Sequence, residues 1–161
     1  MIYIVMGVSG SGKTTIGQKL SDKLNYSFYD ADDFHPPENI AKMSQGIALN
    51  DHDRQPWLQS LRYLIEDLQY HKKNAIIACS SLKKSYRTIL EKNDQNIQWI
   101  YLKGSYAEIL QRLDKRPEHF MKTDLLKSQF EALEEPNNAI IVDVSLPIET
   151  IIKKILFLLN Y

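Results

Sequence analysis

The chain has 161 residues, 43% of them apolar and 25% charged, which fits one globular domain with a real core. Twenty basic residues balance twenty acidic ones, so no overall field favours a nucleic acid or an anionic membrane as partner. Cys79 is the only cysteine, which excludes an internal disulfide and fits a reducing compartment. No apolar run approaches the roughly 20 residues that cross a bilayer. We therefore expect a cytoplasmic, single-domain protein spanning 1–161.

The first predicted strand, Ile2–Val5, runs into a glycine-rich loop. Residues 7–14 read GVSGSGKT and fit the phosphate-binding pattern G-x-x-x-x-G-K-[ST]. Apolar residues at helical spacing follow, so the loop lies between a buried strand and a helix, as a P-loop must. Its backbone N–H groups and the helix N-terminus favour a polyphosphate, whereas the glycine spacing does not fit a dinucleotide site. The sequence therefore predicts a nucleoside triphosphate site.

The loop also supplies the expected contacts to ATP. Lys13 is expected to reach the β- and γ-phosphates and to be catalytic, and the Thr14 hydroxyl is expected to bind Mg²⁺. The residues assigned to the nucleotide here are Gly7, Ser9, Gly10, Ser11, Gly12, Lys13, Thr14 and Thr15.

Two carboxylates follow the second predicted strand, Ser27–Tyr29. Asp30 and Asp32 stand two residues apart, so in extended chain they would point the same way, toward the space above the P-loop. We assign Asp30 to the magnesium, through water, and Asp32 to the acceptor hydroxyl as general base. The alternative is a solvated loop that caps a helix, which is the interpretation we prefer for Asp33.

Residues 31–56 form an insertion that is expected to cover the acceptor. His35 is assigned to substrate contact, with a purely structural role as the alternative. Arg54 can bind an anionic group through two parallel hydrogen bonds, and we expect it to clamp the acceptor unless it pairs with Asp51 or Asp53. A helix is predicted to start at Pro56, with Asn50 or Asp51 as a candidate N-cap.

Basic residues follow the third and fourth predicted strands, Ala75–Cys79 and Ile97–Leu102. Lys83 and Arg87 lie four apart on the ensuing helix and so share a face, which would turn toward substrate or toward solvent. Arg112 and Arg116 are also four apart, at the mouth of a second insertion, residues 111–136, predicted to close over ATP as a lid. We assign Arg112 to ATP and Arg116 to the charge on the transferring phosphoryl group, with a solvated helix end as the alternative for Arg116.

A fifth predicted strand, Ile140–Val144, completes an alternation of strands and helices. The strands are rich in β-branched residues with little polar alternation, as in strands buried on both faces. This pattern predicts an α/β fold with a five-stranded parallel sheet flanked by helices. Ligands of such sheets bind beyond the carboxyl ends of the strands, where both insertions lie.

Taken together, these residues resemble one family, the small P-loop gluconokinases, which are relatives of shikimate and adenylate kinases. The resemblance covers nearly the whole chain, and its most specific parts are the block at 49–58, L-N-D-x-D-R-x-P-W-L, and the set H-F…Q-F…E-P at 119–136. The other matching stretches are Met6–Lys13, Asp30–Asp32, His35-Pro36, Asn39–Met43, Cys79-Ser80, Leu82-Lys83, Tyr86-Arg87 and Tyr101–Gly104.

The resemblance implies a P-loop NTPase fold with a lid and ATP- and Mg²⁺-dependent phosphorylation of D-gluconate at its 6-hydroxyl, often by a homodimer. Two alternatives stay open. One is another small-molecule kinase of the same fold, acting on shikimate or a nucleoside monophosphate, although the block at 49–58 favours gluconate. The other is a nucleotide-binding module that switches a partner without catalysis.

Overall fold

The computed structural model describes residues 1–115 and 123–161, in which five strands pair in parallel and helices cover both faces of the sheet. The strands are β1 (Ile2–Met6), β2 (Ser27–Asp30), β3 (Ala75–Ala78), β4 (Ile97–Lys103) and β5 (Ala139–Asp143). Their order across the sheet is β2-β3-β1-β4-β5. Each strand lies within one residue of its predicted bounds at either end, and the predicted fold class is confirmed.

The helices lie between the strands along the chain. They are α1 (Lys13–Leu24), α2 (Pro37–Ser44), α3 (Asp51–Tyr70), α4 (Lys84–Glu91), α5 (Tyr106–Asp114), α6 (Thr123–Ala132) and α7 (Ile148–Leu158), with a short 3₁₀ helix at Ala31–Phe34. Within the described ranges, none of these helices combines the length and the apolar character needed to cross a membrane.

The central strand β1 explains why the sheet carries two cores. Its alternating side chains point to opposite faces. Ile4 and Met6 join the cluster formed with α3 and α4, and Tyr3 and Val5 join the one formed with α1, α5, α6 and α7. Because both faces of β1 are covered, the loop that leaves its carboxyl end is held at the centre of the molecule.

The helix α3 begins earlier than its proline suggested. Asn50 is the N-cap, and its side chain accepts a hydrogen bond from the Asp53 N–H while the Asp53 carboxylate accepts one from the Asn50 N–H. This reciprocal capping box starts the helix at Asp51 and leaves Pro56 inside it, which corrects the expected start at Pro56. Trp57, buried in α3, donates a hydrogen bond of 2.7 Å from its Nε1 to the Ala31 carbonyl oxygen. That bond fixes α3 to the carboxyl end of β2.

Candidate active site

A cavity of about 440 Å³ opens at the carboxyl ends of the three strands β1, β2 and β3. Its volume suits a small molecule. The polar side chains that line it and matter below are Ser9, Lys13, Asp32, His35, Arg54 and Gln129. The structure thus brings five of the predicted site residues together around one cavity. Gln129, from α6, is an additional residue of the lining.

The P-loop joins β1 to α1 through backbone that favours glycine. Gly12 has a φ of +97° and is the residue from which α1 starts. A Cβ atom on Gly7 would lie 2.9 Å from the Leu102 carbonyl oxygen, so the loop also approaches β4 too closely for a side chain. The loop can therefore turn its N–H groups toward a bound anion at the start of α1.

Lys13 is the charged group of this loop. Its ammonium donates a hydrogen bond of 3.1 Å to the Val8 carbonyl oxygen, across the loop. Burial lowers the pKa of Lys13, and the nearby negative charges of Asp32 and Asp30 oppose that shift. Lys13 therefore lies within electrostatic reach of both carboxylates after β2.

Thr14 and Asp30 lie together at the same edge of the sheet. The Thr14 hydroxyl donates a hydrogen bond of 2.8 Å to Oδ2 of Asp30. A hydroxyl and a carboxylate are ligands that Mg²⁺ accepts, and Mg²⁺ commonly takes only one or two protein oxygens beside phosphates and water. In residues 1–115 and 123–161, no group of three or more His, Cys, Asp or Glu side chains could hold a metal ion by itself. The pair fits a magnesium ion that a nucleotide helps to hold.

Asp32 reaches the cavity by a route that differs from the expected one. The chain does not stay extended after Asp30 but enters the 3₁₀ helix Ala31–Phe34, and Oδ1 of Asp30 accepts a hydrogen bond of 3.0 Å from the Asp32 N–H. Simple alternation along a strand therefore does not place Asp32. The turn nevertheless leaves its side chain in the cavity lining, with Lys13 close enough to feel its charge.

The guanidinium of Arg54 is held at the cavity by two neutral partners. Nη1 donates hydrogen bonds to the Leu49 carbonyl oxygen at 2.5 Å and to the Tyr86 hydroxyl at 3.3 Å, and Cζ lies 5.4 Å from the Tyr86 ring centre. Asp51 pairs with Lys83 instead, and Asp53 pairs with Lys42. In the described part of the chain Arg54 has no ion pair, so its charge is available to an anionic ligand.

His35 stands beside Arg54 on a rigid support. Its ring stacks on Trp57 with centroids 4.4 Å apart and an interplanar angle of 11°, and its Nδ1 lies 3.2 Å from Nδ2 of Asn39. Burial, with a smaller contribution from the Arg54 charge, lowers the pKa of His35 to about 4. The ring is therefore neutral at physiological pH.

Lys83 and Arg87 do not line this cavity. Lys83 precedes α4 as its N-cap, so the expected shared helical face does not form, and its ammonium lies 2.8 Å from the Asp51 carboxylate. Arg87 is buried and donates hydrogen bonds to the carbonyl oxygens of Ser81, Leu82 and Glu134 at 2.8, 3.1 and 2.9 Å. Its guanidinium joins α4 to the chain beyond α6, so these contacts are structural, and the substrate contact expected of Arg87 stays a prediction.

The two arginines of the second insertion have different outcomes. Arg112, in α5, donates a hydrogen bond to the Val144 carbonyl oxygen just after β5 and does not line the cavity. The predicted catalytic Arg116 lies outside the described residues, as do His119 and Phe120 of the family pattern.

Gln129 lines the cavity and Asn39 contacts the cavity residue His35, although no role was predicted for either from the sequence. Gln129, in α6, accepts a hydrogen bond of 2.6 Å from the Ser9 N–H in the P-loop. Asn39, in α2, is buried and contacts His35. Both stand in stretches that match the gluconokinase pattern, which was the only signal available, because neither residue type implies chemistry by itself.

Cys79 lies beneath the site, at the end of β3. It is buried, and its sulfur accepts a hydrogen bond of 3.0 Å from the Ser81 hydroxyl. Burial raises the pKa of Cys79 to about 12, so the thiol stays protonated. It is a core residue.

A P-loop that shares one cavity with a carboxylate and an arginine, on a sheet of this order, defines a P-loop kinase of small molecules. The family model for shikimate kinase matches residues 9–157. The thermosensitive gluconokinase of Escherichia coli K12 is 52% identical over 134 residues, covering 83% of this chain and 72% of that protein. The chain belongs to the gluconokinase family, as the sequence resemblance indicated.

Two further relatives are similar over nearly the whole chain. The thermoresistant gluconokinase of Escherichia coli K12 is 43% identical over 155 residues, which cover 94% of this chain and 89% of that protein. The crystal structure of a sugar kinase from Janibacter sp. HTCC2649 superposes with a TM-score of 0.91 at 42% identity, covering 99% of this chain and 94% of that one.

Proposed function

We propose that this chain transfers the γ-phosphoryl group of ATP to the 6-hydroxyl of D-gluconate, giving 6-phospho-D-gluconate and ADP. One observation supports the proposal: the P-loop lysine Lys13, the carboxylate of Asp32 and the guanidinium of Arg54 line one cavity. These are the groups needed to bind a triphosphate, accept a hydroxyl proton and hold an anionic acceptor.

The reaction assigns each group a place. O6 of gluconate attacks the γ-phosphorus, the new O–P bond forms, and the bond to the bridging β–γ oxygen breaks and leaves ADP. The O6 proton passes to the Asp32 carboxylate, which acts as general base. The Lys13 ammonium and the P-loop N–H groups stabilise the charge on the phosphates, and Arg116 is proposed to neutralise the transferring group.

The acceptor is proposed to lie on residues 31–57, which we call the acceptor side of the cavity. Arg54 can bind the gluconate carboxylate with the donors that do not contact the Leu49 carbonyl or the Tyr86 hydroxyl. His35 contributes a polar contact beside it. Residues 7–14 form the nucleotide side, where the loop and the start of α1 receive ATP.

Magnesium is proposed as the metal that accompanies ATP. Thr14 would bind it directly and Asp30 through water, in keeping with the oxygen ligands that Mg²⁺ prefers. When bound, the ion neutralises charge on the phosphates.

The proposal also covers the organisation of the chain. Residues 1–161 form one kinase domain, with 31–56 as the acceptor-binding insertion and 111–136 as a lid over ATP to which Arg112 and Arg116 belong. A cytoplasmic homodimer is proposed from the family resemblance. Light scattering coupled to size-exclusion chromatography tests the dimer, which should have twice the chain mass of 18.7 kDa.

A coupled assay of ADP release tests the reaction. Purified protein with Mg-ATP is offered D-gluconate, other aldonates, shikimate and nucleoside monophosphates in parallel. ADP release that requires D-gluconate, with a phosphorylated product whose phosphorus NMR signal couples to the C6 protons, is the expected result. The Lys13→Met variant is the matched control for contaminating kinases.

Other outcomes would overturn the proposal in distinct ways. Turnover with shikimate alone would show that shikimate, not gluconate, is the acceptor, in agreement with the name of the matching family model. ATP binding without turnover of any acceptor would favour a nucleotide-dependent switch.

A further inference from the structure

The hydrogen bonds of Asn39 determine where the proton of His35 lies. Nδ2 of Asn39 lies 2.8 Å from the Asp53 carbonyl oxygen and 3.2 Å from Nδ1 of His35. A carbonyl oxygen can only accept, so the side-chain atom that faces Asp53 must be the amide nitrogen. The contact with Asp53 thus distinguishes the amide nitrogen of Asn39 from its amide oxygen.

The same nitrogen carries two hydrogens and no lone pair to offer. One hydrogen goes to the Asp53 carbonyl oxygen, and the other points at Nδ1 of His35. An N–H donor facing Nδ1 requires a bare nitrogen there, because two donors would oppose each other. In a neutral imidazole, the proton must then lie on Nε2.

We propose that Asn39 is a positioning residue that holds His35 as the Nε2–H tautomer, so that His35 donates a hydrogen bond to an oxygen of the acceptor. His35 lines the cavity, and in the described part of the chain its Nε2 has no hydrogen-bond partner. The stack on Trp57 and the contact with Asn39 together fix the ring plane and its rotation.

Three further features keep this arrangement in place. Asn39 is 3% exposed, so water does not compete for its amide. The Asp53 carbonyl that orients it lies in the first turn of α3, beside the capping box. Lys42, one turn after Asn39 in α2, pairs with the Asp53 carboxylate at 2.9 Å and holds the two helices together. The low pKa of His35, which Arg54 helps to depress, agrees with a ring that stays singly protonated.

The tautomer is testable without any assay of activity. In the full-length protein labelled with ¹⁵N, two-bond correlations between ring nitrogens and carbon-bound protons distinguish a protonated nitrogen from a bare one. The chain has four histidines, His35, His52, His71 and His119, and a His35→Gln variant identifies the signal of His35 by its loss. We expect Nε2 protonated and Nδ1 bare near pH 7. The reverse pattern, or a doubly protonated ring, would overturn the proposal.

The donor role is tested with two matched variants. A glutamine amide nitrogen can reach the place of Nε2, whereas an asparagine amide reaches the place of Nδ1, and both lose the stack on Trp57. We expect His35→Asn to raise the KM for gluconate above that of His35→Gln by roughly 2- to 12-fold, the value of one hydrogen bond, with similar kcat. Equal KM values, or a higher value for His35→Gln, would show that His35 donates nothing to the acceptor.

A third variant reverses the polarity of the positioning residue. Asn39→Asp puts an acceptor opposite Nδ1, so the ¹⁵N pattern of His35 should gain a proton on Nδ1. An unchanged pattern in a folded variant would show that Asn39 does not set the tautomer. If that variant does not fold, the wild-type spectrum and the two His35 variants still decide.

This inference rests on the proposed function only in naming gluconate as acceptor. A wild-type protein that ignores gluconate but shows a bare Nδ1 would refute the proposed substrate and leave the tautomer intact. A wild-type protein that phosphorylates gluconate with His35 protonated on Nδ1 would refute the proposed tautomer and leave the proposed substrate intact.

Discussion

Side chains hold one another in place on the acceptor side of the cavity, whereas the nucleotide side is shaped by its backbone. On the acceptor side, Asn39 orients His35, and Trp57 both stacks on that ring and bonds to the Ala31 carbonyl. On the nucleotide side, Lys13 bonds to the Val8 carbonyl of its own loop.

This difference implies that the acceptor side determines which acceptor binds, whereas the nucleotide side binds phosphates in general. Groups fixed by several neighbours present one pattern of donors and charge, which suits recognition of one acceptor. Backbone N–H groups and a lysine bind phosphates whatever the acceptor is. Changes on the nucleotide side should therefore affect turnover with any acceptor, and changes on the acceptor side should affect the KM for the acceptor.

The largest effect is expected from Lys13→Met, which removes the charge on the nucleotide side. We expect kcat to fall by about 10³-fold or more, because the developing charge on the phosphates loses the ammonium of the P-loop. The matched control is Lys19→Met, also in α1, whose exposed ammonium pairs with Glu149 and should leave kcat unchanged. Activity within tenfold of wild type would contradict the role of Lys13.

Asp32→Asn tests the one group on the acceptor side to which we assign a role in the chemical step rather than in binding the acceptor. We expect kcat to fall by about 10²–10⁴-fold with unchanged affinity for ATP in titration calorimetry, since a general base acts on the acceptor hydroxyl. Asp33→Asn is the control, because Asp33 follows in the same 3₁₀ helix but does not line the cavity. Equal losses in both variants would remove Asp32 from the chemistry.

Arg54→Ala tests the anion contact proposed on the acceptor side. We expect the KM for gluconate to rise by roughly 10- to 150-fold with little change in kcat, the value of hydrogen bonds to a charged group. Tyr86→Phe keeps the ring under Arg54 but removes the hydroxyl, and should raise the KM by only about 2- to 12-fold. A fall in kcat at unchanged KM would show that Arg54 acts on the phosphoryl group instead.

The smallest expected effect concerns pH. The pKa of His35 is lowered to about 4 in the folded chain from about 6.5 when unfolded, so the unfolded chain binds the proton more readily. The stability contributed by the neutral ring is thus full above about pH 6.5 and is lost as the pH falls toward 4. Because the ring is half-buried, we expect a loss of only about 1 kcal/mol in the free energy of unfolding.

Urea denaturation of wild type and His35→Gln at about pH 7 and about pH 5 measures this term, since other titrating groups are common to both proteins. The wild type should lose more stability than the variant on acidification. Parallel losses would mean that His35 does not resist protonation.

The sequence predicted those parts of the fold and site that depend on short stretches of chain. The strands follow from buried β-branched runs such as Ile2–Val5, and the P-loop follows from its glycines and Lys13. Asp32 and Arg54 were expected at the site because a carboxylate and a guanidinium near a P-loop suit phosphoryl transfer to an anionic acceptor, and both line the cavity. A local pattern suffices where the residues that make a feature are neighbours in the chain.

The remainder depends on contacts between distant segments. Gln129 meets the Ser9 N–H across 120 residues, and no spacing rule relates the two. Arg87 is buried rather than turned toward the cavity, because its guanidinium donates a hydrogen bond to the carbonyl oxygen of Glu134, which follows α6 in the chain. Asp32 reached its predicted place through a 3₁₀ turn rather than an extended chain, because the Asp30 side chain accepts its N–H. Periodicity gives a helical face but not the neighbour that covers it.

The buried, protonated thiol of Cys79 has a practical consequence for watching this protein work. Thiolate is the form that reacts with maleimides and with oxidants, and Cys79 offers little of it. A cysteine introduced on the exposed side of the proposed lid would therefore be the one reactive thiol in an otherwise native sequence. A fluorophore or spin label placed there could report lid motion during turnover without prior removal of the natural cysteine.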